Sequence, residues 1–183
     1  MNWGTVGADE LSATLWRERR QLDFLLFLLE TQLLHLRAGN WHRLTFTAAE
    51  LEKVLENLRF ESLARGVEAS ALAAEWKAPD QSTLPSLISL APPGLWPELL
   101  DDHRRGLTAL LAGIDLAVAR NVELLNAPPD EAGIPSPASG TDEALVSDVA
   151  DLDLLARDSN IQRALAAVRS ATLPTLRDFL ELD

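Results

Sequence analysis

Leucines recur at a spacing of seven residues near the start of the chain, with further leucines between them: Leu15, Leu22, Leu26, Leu29, Leu33 and Leu36. Such a seam over more than three heptads is typical of long helices that pack side by side in a bundle or coiled coil. It predicts a first helix over about residues 9–38. Gly39 and Asn40 follow directly and favour a left-handed C-terminal cap. Only a few residues separate this helix from the next, so the two should form an antiparallel hairpin.

The stretch DFLLFLLE, residues 23–30, is apolar from Phe24 to Leu29 without interruption. This run is too short to cross a membrane. The heptad pattern places Leu26 and Leu29 on the seam and turns the rest of the run to either side. We therefore expect another element to cover the far side of this turn. The alternatives are the segment LPSLISLA, the C-terminal tail, a second copy of the chain, or a helix of another protein.

Two more long helices are predicted, over about residues 47–76 and 94–126. Thr47 and Glu50 have the spacing of a capping box, and Gly66 indicates close packing or a slight bend. The predicted core stripe of the second helix is Leu51, Val54, Leu55, Leu58, Leu63, Val67 and Leu72. That of the third helix is Trp96, Leu100, His103, Leu107, Leu110, Ile114, Val118 and Leu125. The sequence thus predicts an all-α fold, with an antiparallel bundle of three long helices in residues 1–126.

The rest of the chain divides at about residue 148. Residues 127–148 are rich in Pro, Gly, Ser and acids, and we expect a disordered acidic linker. Residues 149–183 are amphipathic and predict a short helical C-terminal segment, with a break at a cap near Asp158 or Ser159 and a last helix starting at Pro174. Two alternatives stand for this tail: an unpaired apolar surface, or a fourth core helix.

The amino-acid composition excludes several classes of function. The chain has 183 residues, no cysteine and a net charge of −12. Disulfides and thiolate chemistry are therefore excluded, and nucleic acid or an anionic membrane surface is an unfavourable partner. No apolar window is long enough for membrane insertion, and the N-terminus does not resemble a signal peptide, so we expect a cytoplasmic protein.

No catalytic motif stands out. The sequence contains no HExxH, GxSxG or glycine-rich phosphate loop. Glu98, Asp101, Asp102 and His103 could form a metal or acid/base cluster, but acids at the start of a helix are more simply explained by the helix dipole. We expect no enzyme, no cofactor and no metal, with His103 as a hydrogen-bonded core residue. Asn121 either pairs across the bundle or points to solvent.

Three stretches together resemble the FlgN family of flagellar export chaperones, particularly its actinobacterial-type members. They are LWRERRQLDFLLFLLETQLLHLRAGNWHRL with the second helix through ENLRFESLAR, then AVARNVELLNA, then RALAAVRSATLPTLRDFLELD. The resemblance covers most of the chain outside the two proline-rich connections. It rests on the order and spacing of all three stretches, since a leucine-rich hairpin alone occurs in many helical proteins.

The resemblance implies a cytoplasmic chaperone that binds a C-terminal helical segment of hook–filament junction (hook-associated) proteins. Such a chaperone prevents self-association of its clients and delivers them to the flagellar type III export apparatus. The family binds clients largely through its C-terminal half. Carried onto this chain, that implies partner binding by Leu165, Val168, Leu173, Leu176, Phe179 and Leu180. The alternative is a non-enzymatic helical-bundle adaptor or dimerisation module, a homodimer formed through the first hairpin.

Overall fold

The computed structural model describes residues 6–127 and 145–182, and within these ranges the chain is helical with no strand. The helices are α1 Val6–Arg37, α2 Leu44–Glu75, α3 Leu84–Leu90, α4 Leu95–Asn126, α5 Leu145–Arg169 and α6 Pro174–Leu180, with a 3-10 turn at Trp41–Arg43. The prediction of an all-α fold is confirmed. No helix in the described ranges is long and apolar enough to span a membrane.

The hairpin turn is built by a left-handed glycine. Gly39 has a φ of +69°. The Asn40 amide donates to the His35 carbonyl and the Gly39 amide to the Leu36 carbonyl, which is the hydrogen-bond pattern of a Schellman cap. The predicted capping box is wrong. α2 already begins at Leu44, and Thr47 lies inside the helix with its hydroxyl oxygen 3.2 Å from the Leu44 carbonyl oxygen.

α1 packs against both α2 and α4, and α5 packs against the same two helices. Contacts between α1 and α2 run in opposite chain directions, since Glu18 pairs with Arg65 whereas Gln32 bonds to Thr47. α1 and α5 therefore occupy opposite corners of a four-helix arrangement. One continuous core includes side chains from every helix.

The heptad frame of α1 needs one correction. Leu15, Leu22, Leu29 and Leu36 are buried as predicted. Of the two leucines predicted between them, Leu33 is also buried. Glu18, Leu25 and Gln32, which were not predicted to lie on the seam, are buried as well. Leu26, which the sequence placed on the seam, is only half-buried, against the face of α4 where Gly113 lies. Two polar residues, Glu18 and Gln32, thus lie in the core beside the leucine seam.

Asn121 joins the three longest helices. Its side-chain amide donates to the carbonyls of Leu29, at 2.9 Å, and Ala117, at 2.8 Å. The Gln32 amide donates to the Asn121 side-chain oxygen at 3.0 Å, and the Thr47 hydroxyl donates to the Gln32 oxygen at 2.9 Å. Of the two alternatives for Asn121, the structure therefore shows the pairing across the bundle. A satisfied buried network of this kind fixes the register of the helices.

The predicted core stripe of α2 is wrong in its second half. Leu63 is 70% and Val67 72% exposed, and the buried positions are Arg65 and Ala69 instead. Gly66 packs against nothing, because a Cβ built there would meet no atom within 4 Å. The close-packing interpretation of Gly66 is therefore wrong as well.

The predicted short helix LPSLISLA forms α3. The Thr83 hydroxyl caps it by accepting from the Ser86 amide at 3.4 Å. Leu84 and Leu87 are fully buried, and α3 packs against α4 and α6. Phe24 and Phe27 nevertheless remain 41% and 57% exposed. Neither α3 nor the C-terminal tail therefore covers the outer side of the apolar run in α1.

The C-terminal segment is longer and more continuous than expected. α5 is one helix from Leu145 to Arg169, so the predicted cap at Asp158 or Ser159 is wrong, and residues 145–148 of the predicted linker are helical. Residues 128–144 of that linker lie outside the described residues. α6 begins at Pro174, as predicted.

His103 lies in the core between α1 and α4. Its Nε2 and the Ser12 hydroxyl are joined by a hydrogen bond of 3.0 Å, and the Trp16 ring stands edge-on at 5.0 Å. Its Nδ1 has no hydrogen-bond partner in the described part of the chain. Burial and, to a lesser extent, the nearby charge of Arg19 lower the pKa of His103 to about 4, although Asp102 acts in the opposite direction. His103 is thus the neutral, hydrogen-bonded core histidine that the sequence predicts.

We predict that the charging of His103 destabilises the fold in mild acid. The unfolded chain takes up this proton near pH 6.5, whereas the folded chain resists until about pH 4. Stability should therefore fall between these values as pH is lowered, by roughly 2–3 kcal/mol. His103→Gln should remove this component, measured by urea unfolding at several pH values. Identical pH profiles for the wild type and the variant would contradict the prediction.

Candidate functional site

The residues predicted to bind a partner lie mostly inside the core. Leu165, Val168, Leu176 and Leu180 are buried, while Leu173 and Phe179 are half-buried at its edge. Of the two alternatives for the tail, the structure shows an additional core helix. The structure therefore places Leu173 and Phe179 where a partner could touch them without unfolding, and the other four where it could not.

A cleft of about 380 Å³ separates α2 from the turn between α5 and α6. α2 contributes Leu55, Leu58, Arg59, Ser62 and Arg65; the C-terminal segment contributes Ser170, Thr172, Leu173, Pro174, Thr175 and Leu176. The walls thus combine apolar side chains with hydroxyl groups. Leu173 has a φ of +49°, a left-handed conformation that costs a non-glycine residue about 1 kcal/mol.

The deepest part of this cleft holds a buried ion pair. Glu18 and Arg65 are each almost fully buried, and the Arg65 guanidinium donates to one Glu18 carboxylate oxygen. The other oxygen, Oε2, has no partner in the described part of the chain. Burial raises the pKa of Glu18, although Arg65 acts in the opposite direction. The Phe179 ring lies over the guanidinium at 5.0 Å and so covers the pair from the C-terminal side.

An exposed apolar stripe adjoins this cleft on α2. It consists of Phe60, Leu63 and Val67, whose spacing of three and four residues puts them on one face of the helix. Leu63 follows the cleft residue Arg59 by one helical turn. The cleft and the stripe are therefore contiguous around α2. We call them together the α2–tail surface.

Two ion pairs at the rim connect the C-terminal segment to α2 and α4. Arg163 binds Glu52 through two hydrogen bonds of 3.0 and 2.8 Å. Arg177 pairs with Asp115 of α4. Arg163, Glu52 and Asp115 are exposed and Arg177 is half-buried, so each pair contributes little to stability. The apolar contacts of α5 and α6 provide most of the attachment.

The acidic cluster at the start of α4 is engaged in ion pairs. Asp101 binds Arg104 and Arg105 on its own helix, and Asp102 binds Arg19 of α1 at 2.9 Å. Nowhere in residues 6–127 and 145–182 do three His, Asp or Glu residues come together as a metal site would require. Ion pairing with arginines therefore explains why these acidic residues lie together at the start of α4.

Comparison of the chain with protein-family models, with curated protein sequences and with solved structures finds no match. The resemblance to the FlgN family therefore remains an expectation from the sequence.

Sequence reasoning missed both the buried ion pair and the outer stripe of α2. A signal for Glu18 existed, because it lies midway between Leu15 and Leu22 and thus on the heptad seam. Arg65 has the same kind of signal, since it falls seven residues after the buried Leu58. Because Glu18 and Arg65 are charged, the sequence prediction placed them at the surface and placed Leu63 and Val67 in the core.

We predict that separating the buried pair destabilises the fold strongly. Glu18→Leu leaves Arg65 buried without a counterion and should lower the free energy of unfolding by about 3–5 kcal/mol. Glu18→Leu combined with Arg65→Met should recover most of this loss, because neither charge then remains in the core. Denaturant titrations of the three proteins measure these differences.

The matched control is the exposed pair of Arg17 and Glu61, which joins the same two helices at 3.1 Å. Glu61→Gln should change stability by under about 1 kcal/mol, and it leaves the hydrogen bond from Arg17 to the buried Thr14 in place. An equally small effect of Glu18→Leu would show that the Glu18–Arg65 pair is not buried as described.

Proposed function

We propose that this chain is a non-enzymatic chaperone that captures an amphipathic helix of a client protein on the α2–tail surface. The observation that carries the proposal is the exposed apolar stripe of Phe60, Leu63 and Val67 beside a cleft. Large apolar side chains grouped on a surface are typical of interaction sites, since leaving them in water is unfavourable. An apolar helix face laid beside such a stripe is a common mode of peptide recognition.

The resemblance to the FlgN family supplies the client class. We infer that the clients are hook–filament junction proteins, bound through a C-terminal helical segment in the cytoplasm and delivered to the flagellar type III export apparatus. The proposal includes the antiparallel arrangement of α1, α2 and α4 expected from the sequence, in which α1 holds α2 in place. It also explains why α2 is apolar on two faces: one packs on α1 and the other receives the client.

The C-terminal segment has a different part in this proposal from the one the sequence implied. Leu173 and Phe179 form the accessible edge of the site, whereas Leu165, Val168, Leu176 and Leu180 support it from within the core. The client would then add to the bundle along α2 rather than replace α6. Capture would cover apolar client surface that otherwise self-associates.

The test is calorimetric titration with candidate hook-associated proteins, full length and lacking their C-terminal helices. We expect binding that depends on that helix. Leu63→Asp with Val67→Asp should weaken it by at least about a hundredfold, because two charges would face the apolar side of the client. The melting temperature should hardly change, since both side chains are exposed.

Leu116→Asp is the matched control, since Leu116 is an exposed leucine on α4. It should bind clients as the wild type does. Absence of binding, or binding indifferent to removal of the client helix, would refute the chaperone proposal. Loss of binding in the Leu116 variant alone would place the site on α4.

Leu176→Asp separates the supporting residues from the contacting ones. Because Leu176 is buried, this change should lower the free energy of unfolding by about 3–5 kcal/mol, in contrast to the Leu63 and Val67 changes. Thermal unfolding of both variants measures the contrast. An unchanged melting temperature for Leu176→Asp would show that the tail is not part of the core.

A further inference from the structure

A second apolar surface lies on the exposed side of α1. Trp16, Phe24 and Phe27 are all more than two-fifths exposed, and the rings of Phe24 and Phe27 stack at 6.2 Å. Arg20 lies among them and is exposed. We call these four residues the α1 outer face. It is the uncovered side of the apolar run in α1.

Arg20 is the unpaired charge of this face. Its neighbours Arg17 and Arg19 bind Glu61 and Asp102, whereas Arg20 meets no carboxylate within the described part of the chain. In a chain of net charge −12, an arginine without a carboxylate partner among aromatic rings is a specific attraction for an acidic, apolar segment. Asp23 lies about one turn further along α1 and repels acids at that end of the face. A bound acidic segment should therefore have one preferred orientation along α1.

The first half of α5 has the complementary chemistry. Residues 145–156 contain three acids and no base. Side chains from Asp151 to Ala156 are all exposed, including Leu152 at 65% and Leu155 at 67%. Six consecutive helical residues point in every direction around the axis, so this stretch is covered on no side. Directly after this stretch, Arg157 stacks on Trp41 at 4.3 Å.

A short helical stretch without tertiary contacts is only marginally stable in water. Two leucines on such a stretch would be stabilised by burial against another surface. Residues 151–156 form about 9 Å of helix, which fits within the roughly 18 Å that α1 spans from Trp16 to Phe27. The two surfaces are therefore both apolar and are opposite in charge.

We propose that two copies of this chain associate by laying the first half of α5 of each on the α1 outer face of the other. The contact is isologous, so a two-fold axis forms it twice and closes the assembly as a dimer. Leu152 and Leu155 pack on Phe24 and Phe27, and Asp151 or Asp153 pairs with Arg20. The dimer leaves the α2–tail surface free and is independent of client binding.

Sedimentation velocity of the full chain over a range of concentrations tests the proposal. We expect a reversible monomer–dimer equilibrium. Leu152→Asp with Leu155→Asp should raise the dimer Kd by at least about a hundredfold. Leu116→Asp is the control for a surface leucine on α4 and should leave the Kd unchanged. Thermal unfolding of each variant monitors its folding.

Charge reversal gives a second, pairwise test. Arg20→Asp should raise the dimer Kd by about tenfold, and adding Asp151→Arg with Asp153→Arg should restore it, as expected for residues that face each other. A monomer at every concentration, or a dimer indifferent to the leucine changes, would overturn the proposal. The proposal would also be overturned if the protein is monomeric and the variant with Leu152→Asp and Leu155→Asp loses client binding. This stretch of α5 would then be part of the client site.

Discussion

The hydrogen bonds that join Gln32, Asn121 and Thr47 set the register on which the bundle depends. Each of these side chains comes from a different long helix, and the network also occupies the Leu29 carbonyl. Leucine contacts tolerate sliding by a turn, because one leucine can take the place of another. Buried amides do not, since a shifted register would leave donors and acceptors unpaired in the core.

The ion pair of Glu18 and Arg65 has a similar effect at the other half of the hairpin. Together with the Gln32 network it fixes α2 against α1 at two points. Arg65 occupies the core position that a regular apolar stripe would give to a leucine. Because Arg65 occupies this core position, Leu63 and Val67 lie outside the core. The exposed stripe used in the proposed function is therefore a consequence of the buried polar residues.

Much of this architecture can be predicted from the sequence. The helix-forming composition and heptads indicate the long helices to within a few residues, and Gly39 marks the hairpin turn because only a left-handed cap fits there. The buried polar residues could not be predicted, because burial of Glu18 depends on Arg65, 47 positions away. The continuity of α5 escaped prediction for a related reason. Asp158 and Ser159 have the local sequence pattern of helix caps. In the fold, however, Trp41 and Thr45 contact α5 just before and just after these two residues, and the helix continues through them.

The cover over the ion pair has a consequence for the order in which the chain folds during synthesis. α1 and α2 leave the ribosome more than a hundred residues before Phe179, which lies over Arg65. During that interval water can reach the charges, and the hairpin can form without the penalty of a dry ion pair. When α5 and α6 pack onto the hairpin, they exclude water from the ion pair as the last step. The nascent hairpin should therefore remain loosely packed around Glu18 and tighten only when the C-terminal segment arrives.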